Sequence, residues 1–143
     1  MPTKPKTKGV VLIVEDDFFL LNIYSTKFEG ENYKVSVASD GIEGLKLVKE
    51  NNPDIILLDI LMPKLDGFGF LKEIKKDEKH KDIPIILLTN LSQKNDIDKG
   101  LAMGADDYLV KAHFMPSEVV EKVESILKKK EKKEVVKKVS VKK

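Results

Sequence analysis

Carboxylates are the main chemical resource of this sequence. Glu15, Asp16 and Asp17 stand together after the apolar run Val10–Val14, and Asp59 follows the run Ile55–Leu58. Thr89 and Lys111 follow two further apolar stretches, Pro84–Leu88 and Tyr108–Val110. Several acids gathered in one crevice repel one another unless a cation joins them. Oxygen ligands without His or Cys suit Mg²⁺ (or Mn²⁺); Mg²⁺ takes one or two carboxylates and keeps several waters. Such a cation and a lysine ammonium would neutralise charge on the oxygens of a phosphoryl group, and a threonine hydroxyl could donate to one of them. A carboxylate is itself a competent nucleophile, able to form an aspartyl-phosphate.

These residues meet only if the chain folds so that its strand ends converge. Gly9 precedes the β-branched run VVLIV, Lys34–Ala38 alternates as a strand, and Ile55–Leu58, Pro84–Leu88 and Tyr108–Val110 follow. Helical stretches separate them. Asp16 or Asp17 can cap the first, with Leu20, Ile23, Tyr24 and Phe28 on one face; Gly30 and Asn32 mark its exit. Asp40 caps the second, with Ile42, Leu45 and Val48 on one side. Asp66 opens the third, through Phe70, Leu71 and Ile74. Residues 93–103 form the fourth, and Pro116 sits in the first turn of the last. Five alternations of strand and helix require a parallel sheet covered on both faces, an α/β doubly wound fold. In the strand order 2-1-3-4-5 the order reverses between strands one and three, and ligands bind outside the carboxyl ends at that point. Glu15, Asp16 and Asp59 would then be neighbours, with Thr89 and Lys111 alongside.

The segments VLIVEDD, IILLDILMPKLDG, PIILLTN and GADDYLVKA, in this order, resemble the CheY-like receiver domain of two-component response regulators over about residues 9–127. The resemblance implies a flavodoxin-like (βα)5 fold. It implies that Glu15 and Asp16 serve the metal together with Asp59 and the Leu61 backbone carbonyl. It makes Asp59 the phosphoacceptor, Thr89 the switch hydroxyl, Tyr108 the switch aromatic and Lys111 the phosphate-binding lysine. Gly67 would permit the turn after the acceptor loop. A histidine kinase or phosphotransfer protein would be the donor. The face of helix four, strand five and helix five would be the surface read by a downstream protein. No separate substrate is turned over, so no enzyme is expected.

Some residues depart from the family pattern. Ala112 stands where a proline commonly follows the lysine through a cis bond. Such a bond before alanine would cost about 3 kcal/mol, so this loop is expected to sit differently. Asn90 replaces a small residue and could narrow access to Asp59. Leu61 and Leu91 offer no group to orient an attacking water, which predicts a long-lived phosphorylated form.

The remaining composition narrows the class. The chain has 143 residues, 35% charged, no cysteine and no apolar run long enough to span a membrane, so a cytoplasmic protein is expected. All 26 basic residues are lysine. Residues 128–143 carry nine Lys against two Glu, whereas residues 9–127 carry 14 Lys against 22 acids. The expected division is a flexible basic stretch over 1–8, a receiver over 9–127 and a flexible or frayed helical tail over 128–143, with no room for an output domain after 127. The tail lacks aromatic residues and Arg, so base stacking and bidentate phosphate contacts are absent from it and nucleic-acid binding is not favoured. A receiver-fold scaffold that is never phosphorylated is the rival reading; absent Mg²⁺ affinity would favour it. Asp17 reads as a cap or solvated acid, His80 as solvated in a charged loop, and His113 lacks a partner for a ligand role.

Overall fold

A computed structural model describes residues 7–90, 94–111 and 115–141, with side chains as far as Glu131. Its elements run β1 (Val10–Val14), α1 (Phe18–Gly30), β2 (Lys34–Ala38), α2 (Gly41–Asn51), β3 (Ile55–Asp59), α3 (Gly67–Lys76), β4 (Ile85–Thr89), α4 (Lys94–Ala102), β5 (Asp107–Val110) and α5 (Pro116–Val141). The five strands are parallel, in the order β2-β1-β3-β4-β5. This is the doubly wound α/β fold expected from the sequence.

Burial explains the strand compositions. β3 and β4 are buried along their whole length and β1 along all but its first residue, so their side chains are apolar on both faces. Alternate residues feed two cores. Val11, Ile13, Ile55, Leu57, Ile86 and Leu88 pack with Leu21, Tyr24 and Phe28 of α1 and Val119, Val120 and Val123 of α5. Leu12, Val14, Ile56, Leu58, Ile85 and Leu87 pack on the other face with Val48 of α2 and Phe70, Leu71 and Ile74 of α3. On that face α4 lies close enough that a Cβ on Gly100 would overlap Leu87.

Several local expectations are refined by these contacts. The buried stripe of α1 centres on Leu21, Tyr24 and Phe28, with Leu20 and Ile23 only partly buried. Ile42 is exposed, because α2 turns Gly41, Gly44 and Val48 inward instead. Pro84 stays outside β4, where its carbonyl accepts from Ile56 N–H. The helical backbone of α5 continues to Val141, into the lysine-rich segment expected to be flexible or a frayed helix.

His80 corrects the sequence reading most clearly. It is 4% exposed. The α3–β4 connection coils on itself, with His80 N–H and Lys81 N–H both donating to the Asp77 carbonyl. That turn points the imidazole inward, where Nδ1 lies 2.6 Å from Asp77 Oδ2 and Nε2 lies 3.0 Å from Asn52 Oδ1. Asn52 ends α2 in the left-handed region and Asp77 ends α3, so one ring ties two helix C-termini together. The bond from His80 holds the Asp77 carboxyl below its ordinary range. His80→Ala is expected to lower the unfolding free energy by about 1–3 kcal/mol in urea denaturation, where a solvated histidine would change it by less than about 0.5 kcal/mol.

Candidate functional site

The site lies at the carboxyl edge of the sheet. β1 delivers Glu15, which is fully buried, and its N–H donates to the Ala38 carbonyl of β2 at 3.0 Å. Asp16 follows, exposed, with its N–H donating to Glu15 Oε2 at 3.1 Å. Asp17 then leaves the site and caps α1, accepting from Phe19 and Leu20 N–H. β3 ends on Asp59, 5% exposed, and β4 ends on buried Thr89. Thr89 Oγ1 donates to the Asn90 carbonyl at 3.2 Å.

Lys111 crosses this edge. Its N–H donates to the Thr89 carbonyl at 2.8 Å, extending the ladder one residue past β5. Its Nζ then reaches Glu15 Oε1 at 2.5 Å and Asp59 Oδ2 at 3.2 Å. The β1-β3-β4-β5 order thus brings residues 96 positions apart into one cluster.

One ammonium does not neutralise three acids. Ligand oxygens of Glu15, Asp16 and Asp59 lie within 4.8 Å of one another and could hold a metal ion. The donor set, carboxylate oxygen only, fits a hard divalent cation such as Mg²⁺. Burial, first, and then the hydrogen bond with Asp59 push the Glu15 carboxyl up to about 8, although Lys111 pulls the other way. Burial acts to discharge Lys111, but contact with Glu15 and Asp59 outweighs it and raises its affinity for the proton.

The acceptor loop turns away from Asp59 over Ile60–Asp66. Leu61 projects outward, 58% exposed. Asp66 caps α3, accepting from Gly69 N–H at 2.9 Å. Gly67 is required by close approach: a Cβ there would lie 2.7 Å from the Asp59 carbonyl oxygen and 2.8 Å from Ile60 Cα. Tyr108 points outward on the edge strand, 40% exposed, rather than joining the core. Every named site residue is therefore at the carboxyl edge except Tyr108, which sits three residues before Lys111 on β5, opposite Leu87. Ala112, His113 and Leu91 lie outside the described residues. Phe18 and Phe19, at the start of α1 beside the acids, are 75% and 72% exposed. They precede the buried stripe of α1, which begins at Leu21.

The response regulator receiver domain family matches residues 11–124. The chain belongs to this family. Among curated proteins it is 45% identical over 123 residues to "Probable transcriptional regulator ycf27" of Guillardia theta, covering 86% of this chain and 47% of that protein. It is 39% identical over 118 residues to "DNA-binding dual master transcriptional regulator RpaA" of Synechocystis sp., covering 82% and 48%. The chain spans about half the length of these relatives. Among solved structures, the Francisella response regulator 1452 receiver domain is 36% identical with a TM-score of 0.77, covering 86% of this chain and 99% of that one. Chemotaxis response regulator CheY4 of Vibrio cholerae is 30% identical, also at 0.77, covering 84% and 99%. Phosphorylation and Mg²⁺ binding are typical of receiver domains. No helix among the described residues is long and apolar enough to cross a membrane.

The raised Glu15 carboxyl makes stability depend on pH. The folded chain keeps this proton up to about pH 8, whereas the unfolded chain releases it near 4.5. Between these values the folded state binds more protons, so metal-free stability falls as pH rises through the window. Thermal melting in EDTA is expected to show that fall for the wild type and a flatter profile for Glu15→Gln.

Proposed function

We propose that this receiver domain accepts a phosphoryl group on Asp59 and signals by the conformational change that follows. The observation that carries the reading is Lys111 Nζ between Glu15 and Asp59, with Asp16 close by. In the transfer step an Asp59 carboxylate oxygen forms the O–P bond as the N–P bond of a donor phosphohistidine breaks. Glu15, Asp16, Asp59 and the Leu61 carbonyl would hold Mg²⁺ (or Mn²⁺). When bound, the cation neutralises charge on the phosphoryl oxygens.

Lys111 leaves Glu15 for the phosphoryl oxygens, and Thr89 turns its hydroxyl from the Asn90 carbonyl toward the same group. Tyr108, outward in this structure, moves inward behind Thr89. Such a change is a shift in an existing equilibrium, driven by contacts made only with the modified acid. A downstream protein reads the face of α4, β5 and α5. The chain modifies itself and turns over no separate substrate, so it acts as a switch rather than an enzyme.

A second output reading has its own support. The curated relatives named above as transcriptional regulators are about twice as long, so this receiver would serve such a protein as its regulatory half.

Intact mass after incubation with acetyl phosphate tests the phosphoacceptor. A gain of one phosphoryl group that needs Mg²⁺ and is absent in Asp59→Asn is expected. No gain with either acetyl phosphate or a promiscuous histidine kinase would move the chain to the scaffold reading. After removal of the donor, exposed apolar Leu61 predicts that the phosphorylated mass persists for minutes or longer; decay within seconds would contradict this.

A further inference from the structure

The loop Ile60–Asp66 carries the Leu61 carbonyl, yet little of it is packed into the core. Leu61, Pro63, Lys64 and Asp66 are exposed. Ile60 anchors its start, fully buried, and Gly67 N–H donates back to the Ile60 carbonyl at 2.8 Å. Two apolar side chains turn inward between these anchors. Met62 packs against the α2–α3 core; an unbranched thioether follows its surroundings more than it fixes them.

Leu65 is placed differently. Lys64 adopts a left-handed φ of 66°, uncommon for a residue with a Cβ, and Leu65 N–H donates to the Pro63 carbonyl at 2.8 Å. This reversal presses Leu65 between the first turns of two helices. A Cβ on Gly41 of α2 would overlap the Leu65 carbonyl oxygen and lie 2.9 Å from its Cβ. A Cβ on Gly69 of α3 would overlap Leu65 Cδ1 and lie 3.1 Å from its Cγ. Two glycines thus open a seat of one side chain's width. The nearby ion pair of Lys64 with Asp40 spans 3.5 Å, but the lysine is two-thirds exposed, so the pair contributes little.

We propose that Leu65, seated between Gly41 and Gly69, is a positioning residue that fixes the acceptor loop and thereby sets the metal affinity of the carboxylate crevice. The inference rests on the reading of the Leu61 carbonyl as a metal ligand. It makes the N-terminus of α2, which supplies no ligand, part of the support of the site. Groups that orient a metal ligand from behind typically change affinity by about 10–100-fold when altered.

The test combines amide hydrogen exchange over residues 60–67 in EDTA with Mg²⁺ titration calorimetry on the full chain. Gly41→Ala forces the Leu65 backbone to move; Leu65→Ala removes the peg without a clash and covers the case in which Gly41→Ala does not fold. Both are expected to speed exchange across the loop and weaken Mg²⁺ binding by about tenfold. Leu65→Met, of similar volume, should stay within about twofold of wild type in both measurements. Unchanged exchange in folded Leu65→Ala overturns the proposal, as does faster exchange with unchanged Mg²⁺ affinity. A wild-type chain that binds no Mg²⁺ overturns the metal reading itself, while exchange in EDTA still decides whether Leu65 holds the loop.

Discussion

The fold is organised around an electrostatic conflict: Glu15 and Asp59 are buried side by side with a single lysine between them. Removing carboxylates from water is costly, and placing two together adds repulsion. Lys111 offsets part of this, and a retained proton on Glu15 offsets more. A hard cation would relieve the rest. The same frustration gives the crevice its reactivity, since whatever brings positive charge to these oxygens is favoured there.

Resolving the conflict requires the whole sheet. Glu15 comes from β1, Asp59 from β3 and Lys111 from beyond β5, so no local segment contains the cluster. Parallel strands place all three at one edge, and the reversal of strand order beside β1 leaves that edge open. The two apolar cores on either face hold the strands in register. The glycines then set how closely the loops approach: Gly67 lets α3 start against the Asp59–Ile60 backbone, and Gly41 does the same for α2 against Leu65.

Much of this was legible in the sequence because it is local or periodic. Most strands showed as apolar runs, and β2 as an alternation. Asp40 and Asp66 showed as helix caps and Asp17 as one of two candidates with Asp16; all three accept backbone N–H bonds in the structure. The acids, Thr89 and Lys111 showed by standing where strands end. What was not legible depends on contacts distant in sequence. Ile42 looks like a core residue until two glycines of its own helix take the inner face. His80 looks solvated among Lys79 and Lys81 until Asn52, 28 residues away, receives its ring. Leu65 is unremarkable until Gly41 is placed beneath it.

Proton release on metal binding reports how Glu15 and Asp59 share their charge. Titration calorimetry of Mg²⁺ into the metal-free chain near neutral pH, in two buffers of different ionisation enthalpy, measures it. A net release is expected in the wild type, because the cation displaces the proton that Glu15 keeps, and its loss is expected in Glu15→Gln. Mg²⁺ binding with no proton released from the wild type would mean that Glu15 is already ionised beside Asp59 in the metal-free chain.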